Sequence, residues 1–118
     1  MPFARLAGGG MTDADALDLH RRVDDGVLWH EAAEQLGDRN LARAQDALNR
    51  GCRESAREGF FSASACYRFG QIPLADADPH KRPLYRRMLD AFRNAGRLGE
   101  PRVNVLALNL ALDAAASK

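Results

Sequence analysis

A chain of 118 residues is long enough for one domain with a single modest hydrophobic core. Hydrophobic residues make up 46% and charged residues 28%, the usual mixture for a globular protein. Because the formal net charge is only +1, charge gives no reason to expect nucleic acid or an anionic membrane as a partner.

The chain lacks the features of a membrane or secreted protein. No apolar run reaches the length that spans a bilayer, and no stretch has the pattern of a signal peptide. Cys52 and Cys66 are spaced without a disulfide or metal-binding pattern. We therefore expect a cytoplasmic protein with both thiols reduced.

The first residues carry little structural signal. MPFARLAGGG is short, Gly-rich and without periodicity, so residues 1–11 are predicted to form a flexible tail. Met11 is a candidate for the true start of the gene. Thr12 or Asp13 then caps a first helix, which Gly26 ends near Asp25.

Two further helices are predicted before the middle of the chain. Residues 29–36 have apolar positions at helical spacing, and Gly37 is predicted to close this short helix. Asp38 is predicted to cap the next helix, which Gly51 ends. Its inward face is formed by Leu41, Ala44 and Leu48.

The stretch from Ser55 to Leu74 is predicted to be the central helix of the fold. It has two adjoining apolar stripes, so other helices should pack around most of its circumference. One stripe contains Ala56, Phe60, Ala63 and Tyr67, and the other contains Phe61, Ala65 and Phe69.

A fifth helix is predicted from Pro83 to Gly96. Its apolar face is predicted to contain Leu84, Tyr85, Met88, Leu89 and Phe92. The whole is an all-α bundle of about five helices, with one helical domain over residues 12–102. Residues 103–118 begin with strand-like alternation and become Leu/Ala-rich, so the pattern leaves helix and strand open. We expect this segment to fold back as a helix or to form an interface with a partner.

The run SAREGFFSASACYRFGQ resembles the N-terminal helical cap domain of a group of α/β-hydrolases. This group includes the fermentation-respiration switch protein and 2,6-dihydroxypseudooxynicotine hydrolase. The resemblance covers roughly residues 25–103. The matching pieces are Trp29, residues 42–51, Ser55-Ala56, residues 65–69, and Leu84-Tyr85 through Phe92.

The resemblance implies a cap but no chemistry. The sequence contains no G-x-S-x-G motif, so no catalytic residue carries over, and no cofactor is implied. Aromatic residues of such caps help to wall a substrate pocket. On that ground the candidate ligand-pocket residues are Trp29, Tyr67, Phe69 and Tyr85.

Several polar residues are weaker candidates. Arg82 and Arg86 are candidates for binding an anion, although a solvated helix face is the simpler interpretation. Cys66 is interpreted as a buried apolar residue rather than a nucleophile. The sequence HEAAE at His30 lacks the second histidine of a metal motif, and a His20–His30 ligand pair would need two helices to cross there. Asp76, Asp78 and His80 favour capping of the next helix over a metal or general-base role.

Three functions remain open at this level. The first is a non-catalytic module that associates with a second copy or with a separately encoded hydrolase core, and that lines a small-molecule pocket. The second is a stand-alone small enzyme or ligand-binding protein of polyketide-type secondary metabolism, with a small apolar ligand. The third is a truncated α/β-hydrolase fragment.

Overall fold

Five α-helices form the computed structural model, which describes residues 2–99 except for the side chains of residues 3 and 7. They are α1 (Phe3–Gly8), α2 (Asp13–Asp24), α3 (Trp29–Asn49), α4 (Arg53–Gln71) and α5 (Lys81–Leu98). Residues 2–99 contain no strand, so the prediction of an all-α bundle is confirmed. The predictions for residues 103–118 lie outside the described residues.

Helix α4 occupies the centre of the bundle, as the sequence predicts. It packs along α3 on one side and along α5 on the other, while α2 covers part of α3 and α1 contacts α2. Phe60, Ala63 and Tyr67 are almost completely buried on α4, as expected from their helical spacing. This arrangement leaves α4 in contact with most of the hydrophobic core.

Local capping signals define both ends of α2. The Thr12 hydroxyl accepts a hydrogen bond of 3.1 Å from the Asp15 backbone N–H. At the other end Gly26 adopts a φ of +100°, and the Val27 N–H donates to the Arg22 carbonyl oxygen. This αL turn favours glycine and ends the helix where the sequence predicts.

The predicted break at Gly37 is wrong, because α3 runs without interruption from Trp29 to Asn49. Gly37 is buried inside this helix and faces the ring of Tyr67 on α4. The absence of a side chain at Gly37 allows α3 and α4 to approach closely, and it does not end a helix here. The second and third predicted helices are therefore one helix of 21 residues.

The N-terminal residues are more ordered than the sequence predicts. Residues 3–8 form α1, and Leu6 has no exposed surface. A Cβ atom at Gly9 would clash with the ring of Phe69 on α4. The absence of a side chain at Gly9 therefore allows the end of α1 to approach α4 closely. The prediction of a tail without secondary structure is therefore wrong for these residues.

Helix α5 extends beyond its predicted limits, and its buried face differs from the prediction. It begins at Lys81, so Pro83 lies in its first turn, and it continues through Gly96 to Leu98. Tyr85 and Phe92 are predicted to face inward but are 47% and 57% exposed. Leu84 is buried as predicted, and Met88 and Leu89 are half-buried. The other buried positions are Ala91, Asn94, Ala95 and Leu98.

Candidate functional site

An open, largely apolar groove of about 660 Å³ lies between α4 and α5. Apolar residues of both helices form its walls because α4 and α5 each have a second apolar stripe beside the buried one. On α4 this stripe contains Phe61, which is 46% exposed although the sequence predicts it to be buried. The groove is lined by Arg57, Glu58, Phe61, Ser62, Phe92 and Gly96, among others.

Phe61 and Phe92 form an aromatic pair across this groove. Their ring centroids are 6.4 Å apart and their planes are tilted by 44°. This separation lies within the range of favourable aromatic contact. Two adjacent, half-exposed phenylalanines form an apolar surface that lacks cover in the described part of the chain.

Charged side chains of both signs lie along the α4 edge of the groove. Arg57 Nη1 contacts Glu54 Oε1 at 3.2 Å, and Glu58 follows directly after Arg57. Because both residues of the Arg57–Glu54 pair are well exposed, the pair contributes little to stability. An apolar floor with a mixed polar edge is the arrangement found in protein–protein contact surfaces.

The C-terminal end of α5 contributes to the groove. Gly99, the last residue described, lines the groove and follows directly after α5. Arg53 Nε donates a hydrogen bond of 2.8 Å to the Leu98 carbonyl oxygen. This bond satisfies one of the free carbonyl groups at the C-terminus of α5.

The structure separates the four aromatic pocket candidates. Trp29 Nε1 donates a hydrogen bond of 2.8 Å to the carbonyl oxygen of Phe69, so these two residues lie together. Tyr67 belongs to another part of the core, packed with Ala63 and Leu84. Tyr85 is half-exposed on α5. Phe69 belongs to the core cluster that contains Leu6 of α1, and Trp29 packs against this cluster. Trp29 and Phe69 are thus core residues.

Tyr67 is held by a specific polar contact. Its hydroxyl donates a hydrogen bond of 2.7 Å to Asp38 Oδ1. Burial, followed by the Asp38 carboxylate, raises the pKa of the Tyr67 phenol far above its ordinary value. The phenol therefore remains protonated at physiological pH and acts as a structural donor.

Arg82 and Arg86 lie together at a shallow depression of about 540 Å³ on the loop before α5. Asp76 and Asp78 line the same depression, so an anion bound there would meet carboxylates as well as guanidinium groups. Both arginines are exposed. These features favour a solvated surface over a specific anion site.

The His20–His30 pair considered as a metal-ligand pair is not the ring pairing that the structure shows. His20 contacts the edge of Trp29, with centroids 6.1 Å apart, whereas His30 stacks on His80 at 4.5 Å. The backbone N–H of His80 donates to Asp78 Oδ1, and this bond lowers the pKa of Asp78. Among residues 2–99 no group of three histidine, cysteine or acidic side chains is placed to hold a metal ion.

A buried polar cluster joins α2, α3 and α4. Asn40 Nδ2 donates to Asp15 Oδ2 at 2.9 Å, Arg39 Nη2 lies 3.0 Å from Asp15 Oδ1, and Cys66 Sγ lies 4.0 Å from Asp15 Oδ2. Burial, and secondly the Asp15 carboxylate, raises the pKa of the Cys66 thiol to about 12. The thiol is thus neutral and unsuited to nucleophilic catalysis.

The sequence does not reveal this cluster, because its members lie in three separate helices. Asp15 follows an N-cap, where an acidic residue is explained by the helix dipole alone. The one available signal was Asn40, which lies one turn after Leu36 on the buried face of a helix. A polar residue at such a position generally has a buried partner.

Comparison with protein-family models, with curated proteins and with solved structures finds no match to this chain. Within the described residues, every helix is too short or too polar to cross a membrane.

Proposed function

We propose that this chain is a non-catalytic helical module that works by protein–protein association through the α4–α5 groove. The observation that carries the proposal is the half-exposed pair Phe61 and Phe92 in that groove. Contiguous exposed aromatic surface of this kind is typical of interaction sites. The buried, neutral thiol of Cys66 supports a non-catalytic role.

A second copy of the same chain is the partner that the charges favour. Arg57 and Glu58 are adjacent on α4 at the groove. In a two-fold symmetric pair with Arg57 of one copy against Glu58 of the other, the same ion pair would form twice, because each contact in such an interface is repeated. A net charge of only +1 also opposes self-association very little.

Sedimentation velocity over a range of concentrations tests this proposal. Wild type should form a dimer, and Phe61→Arg or Phe92→Arg should weaken the dimer by about tenfold or more. Leu28→Arg is the matched control, because Leu28 is 59% exposed but lies outside the groove. A chain that stays monomeric at all concentrations would refute homodimerisation.

Charge exchange at the edge of the groove gives a second test. Arg57→Glu and Glu58→Arg should each weaken the dimer, whereas the double variant restores the opposite pairing and should recover most of the affinity. Recovery would identify the Arg57–Glu58 contact between copies. If the double variant is weaker than both single variants, the proposed symmetric arrangement is wrong.

The resemblance to hydrolase caps supplies an alternative partner, a separately encoded hydrolase-like protein. Size-exclusion chromatography of a mixture of the two purified proteins tests this alternative. Phe61→Arg should abolish the complex with the hydrolase-like protein too. A groove of about 660 Å³ also matches the size of a small-molecule site, which keeps a small apolar ligand as a second candidate. The unpaired cysteines are compatible with the cytoplasmic location that we propose.

A further inference from the structure

We infer that His30 and His80 form a binding site for a divalent transition-metal ion of the nickel and copper class. The inference goes beyond the proposed function, because neither histidine lines the α4–α5 groove. Water molecules would complete the coordination shell, since two imidazoles are fewer than the four protein ligands of a structural zinc site.

The spacing of the two rings is the first argument. His30 lies in the first turn of α3 and His80 directly precedes α5, and their ring centroids are 4.5 Å apart. A metal ion lies about 2.0–2.1 Å from a coordinating imidazole nitrogen, and hence about 3.2 Å from the ring centre. Two imidazoles at a right angle around one ion thus have centres about 4.5 Å apart, and right angles are typical of nickel and copper sites. The observed spacing therefore suits one such ion held by both rings.

A hydrogen bond to Asp78 determines which nitrogen of His80 is free. Asp78 Oδ1 lies 2.8 Å from the Nδ1 atom of His80. The same oxygen accepts the backbone N–H of His80, and this bond is the largest cause that lowers the pKa of Asp78. The carboxylate is therefore ionised at neutral pH and can only accept, so Nδ1 of His80 carries a proton. In the neutral ring, Nε2 then keeps the lone pair that binds a metal ion.

The contact between Asp78 and His80 is also the usual support of a metal-binding histidine. Such histidines almost always donate the second ring N–H to a carboxylate, a carbonyl oxygen or water, which fixes the ring and strengthens it as a ligand. Asp78 is thus a positioning residue, because it acts through His80 and does not touch the ion. It gives an exposed histidine a defined orientation next to His30.

The charges around the two rings favour selectivity by ligand type over selectivity by charge. The first turns of α3 and α5 carry the positive ends of two helix dipoles, and Lys81 begins α5. Lys81 Nζ donates to the carbonyl oxygens of Gln71 and Leu74, at 3.1 and 2.8 Å, while Asp78 supplies negative charge beside His80. Binding therefore depends on the imidazole nitrogens, and hard cations such as Mg²⁺, which prefer oxygen ligands, should not bind.

Isothermal titration calorimetry of the full chain with nickel chloride tests the inference. The parent protein is Cys52→Ser, because Cys52 is an exposed thiol that could bind the ion itself. The parent should bind one Ni²⁺ per chain and should not bind Mg²⁺ at the same concentrations. His30→Gln and His80→Gln should each weaken Ni²⁺ binding about tenfold or more. The double variant should be little weaker than either single variant, because both imidazoles act as one unit.

Two aspartates of the same loop separate positioning from charge. Asp78→Ala should weaken Ni²⁺ binding about tenfold, since His80 loses its support. Asp78→Asn should recover part of that loss, because an amide oxygen still accepts from Nδ1 of His80. Asp76→Ala is the matched control: Asp76 is an exposed carboxylate in the same loop, and its removal should change the affinity by less than about twofold.

Sedimentation velocity with and without Ni²⁺ distinguishes this site from a bridge between two copies. Ni²⁺ should leave the state of association unchanged. One ion per two chains with a metal-dependent dimer would overturn the inference, and so would an affinity that stays unchanged in His30→Gln or His80→Gln. Failure of the proposed function gives a different result, since Phe61→Arg should bind Ni²⁺ as tightly as the parent whether or not a dimer forms.

Discussion

The ring of Tyr67 lies so close to the backbone of Gly37 that a Cβ atom at residue 37 would be 2.5 Å from Cε1 of Tyr67. Tyr67 is almost completely buried, and its hydroxyl is bonded to Asp38, so the ring has little freedom to move away. This contact sets how closely α3 and α4 approach each other.

Gly37→Ala should therefore destabilise the protein, although alanine is the better helix former. We expect a loss of about 1–3 kcal/mol in the free energy of unfolding, because overpacking outweighs the gain in helix propensity. Urea denaturation measures this difference.

Gly96→Ala is the matched control at a protein concentration at which the chain is monomeric, since an added Cβ atom at this exposed helical position then meets open space. It should stabilise the protein by about 0.5–1 kcal/mol. Equal effects of the two substitutions would contradict the close contact between Gly37 and Tyr67.

Tyr67→Phe removes the hydroxyl that donates to Asp38 at 2.7 Å and keeps the ring in place. The expected loss is about 0.5–1.5 kcal/mol in the free energy of unfolding, since water can replace the hydroxyl at the half-exposed Asp38. Tyr85→Phe, on an exposed tyrosine, should change stability by less than about 0.5 kcal/mol. Thermal or urea unfolding of both variants tests the contrast, which should vanish if the Tyr67–Asp38 bond does not form.

The two cysteines should differ sharply in reactivity. Cys52 is exposed, whereas Cys66 is fully buried and burial raises its pKa to about 12. A disulfide reagent such as DTNB should therefore label Cys52 quickly in the native protein and Cys66 only after unfolding. Cys52→Ser should abolish the fast phase. Rapid native labelling of Cys66 would show that the Asp15 cluster is open to solvent.

Asp18 should make stability depend on pH. Its hydrogen bond to Arg22 Nε at 3.0 Å is the largest cause that lowers the pKa of Asp18 below its ordinary value of 3.8. A group with a lowered folded-state pKa stabilises the protein above its unfolded pKa, and this contribution is lost as pH falls through the folded pKa. The difference in stability between wild type and Asp18→Asn should thus be full at pH 7 and decrease below about pH 4.

A double-mutant cycle of Asp18→Asn and Arg22→Gln isolates this ion pair from other effects of each change. Both side chains are partly exposed, so we expect an interaction energy of about 0.5–1 kcal/mol at pH 7. Urea denaturation at several pH values provides both measurements. An interaction energy that stays constant from pH 7 to pH 2 would contradict the assignment.

Sequence periodicity predicted which segments are helical but not which apolar stripe of α5 is buried. Leu84 and Tyr85 are neighbours in the sequence and both are apolar enough for a core, yet the first is buried and the second is exposed. The choice depends on where α4 lies. For the same reason the sequence did not reveal that Phe61 and Phe92 meet, since they are 31 positions apart and lie on two different helices.

The sequence by itself determined the all-α class, the central position of α4 and the turns at Gly26 and Gly51, because helical spacing and a positive φ are local properties. Only the tertiary structure decided that Gly37 lies within a helix, that α1 packs on the bundle, and that an aromatic groove opens between α4 and α5. A glycine that ends a helix and a glycine that admits a neighbouring ring are the same residue in sequence. What distinguishes them is the side chain that packs against them, and that side chain comes from a distant part of the chain.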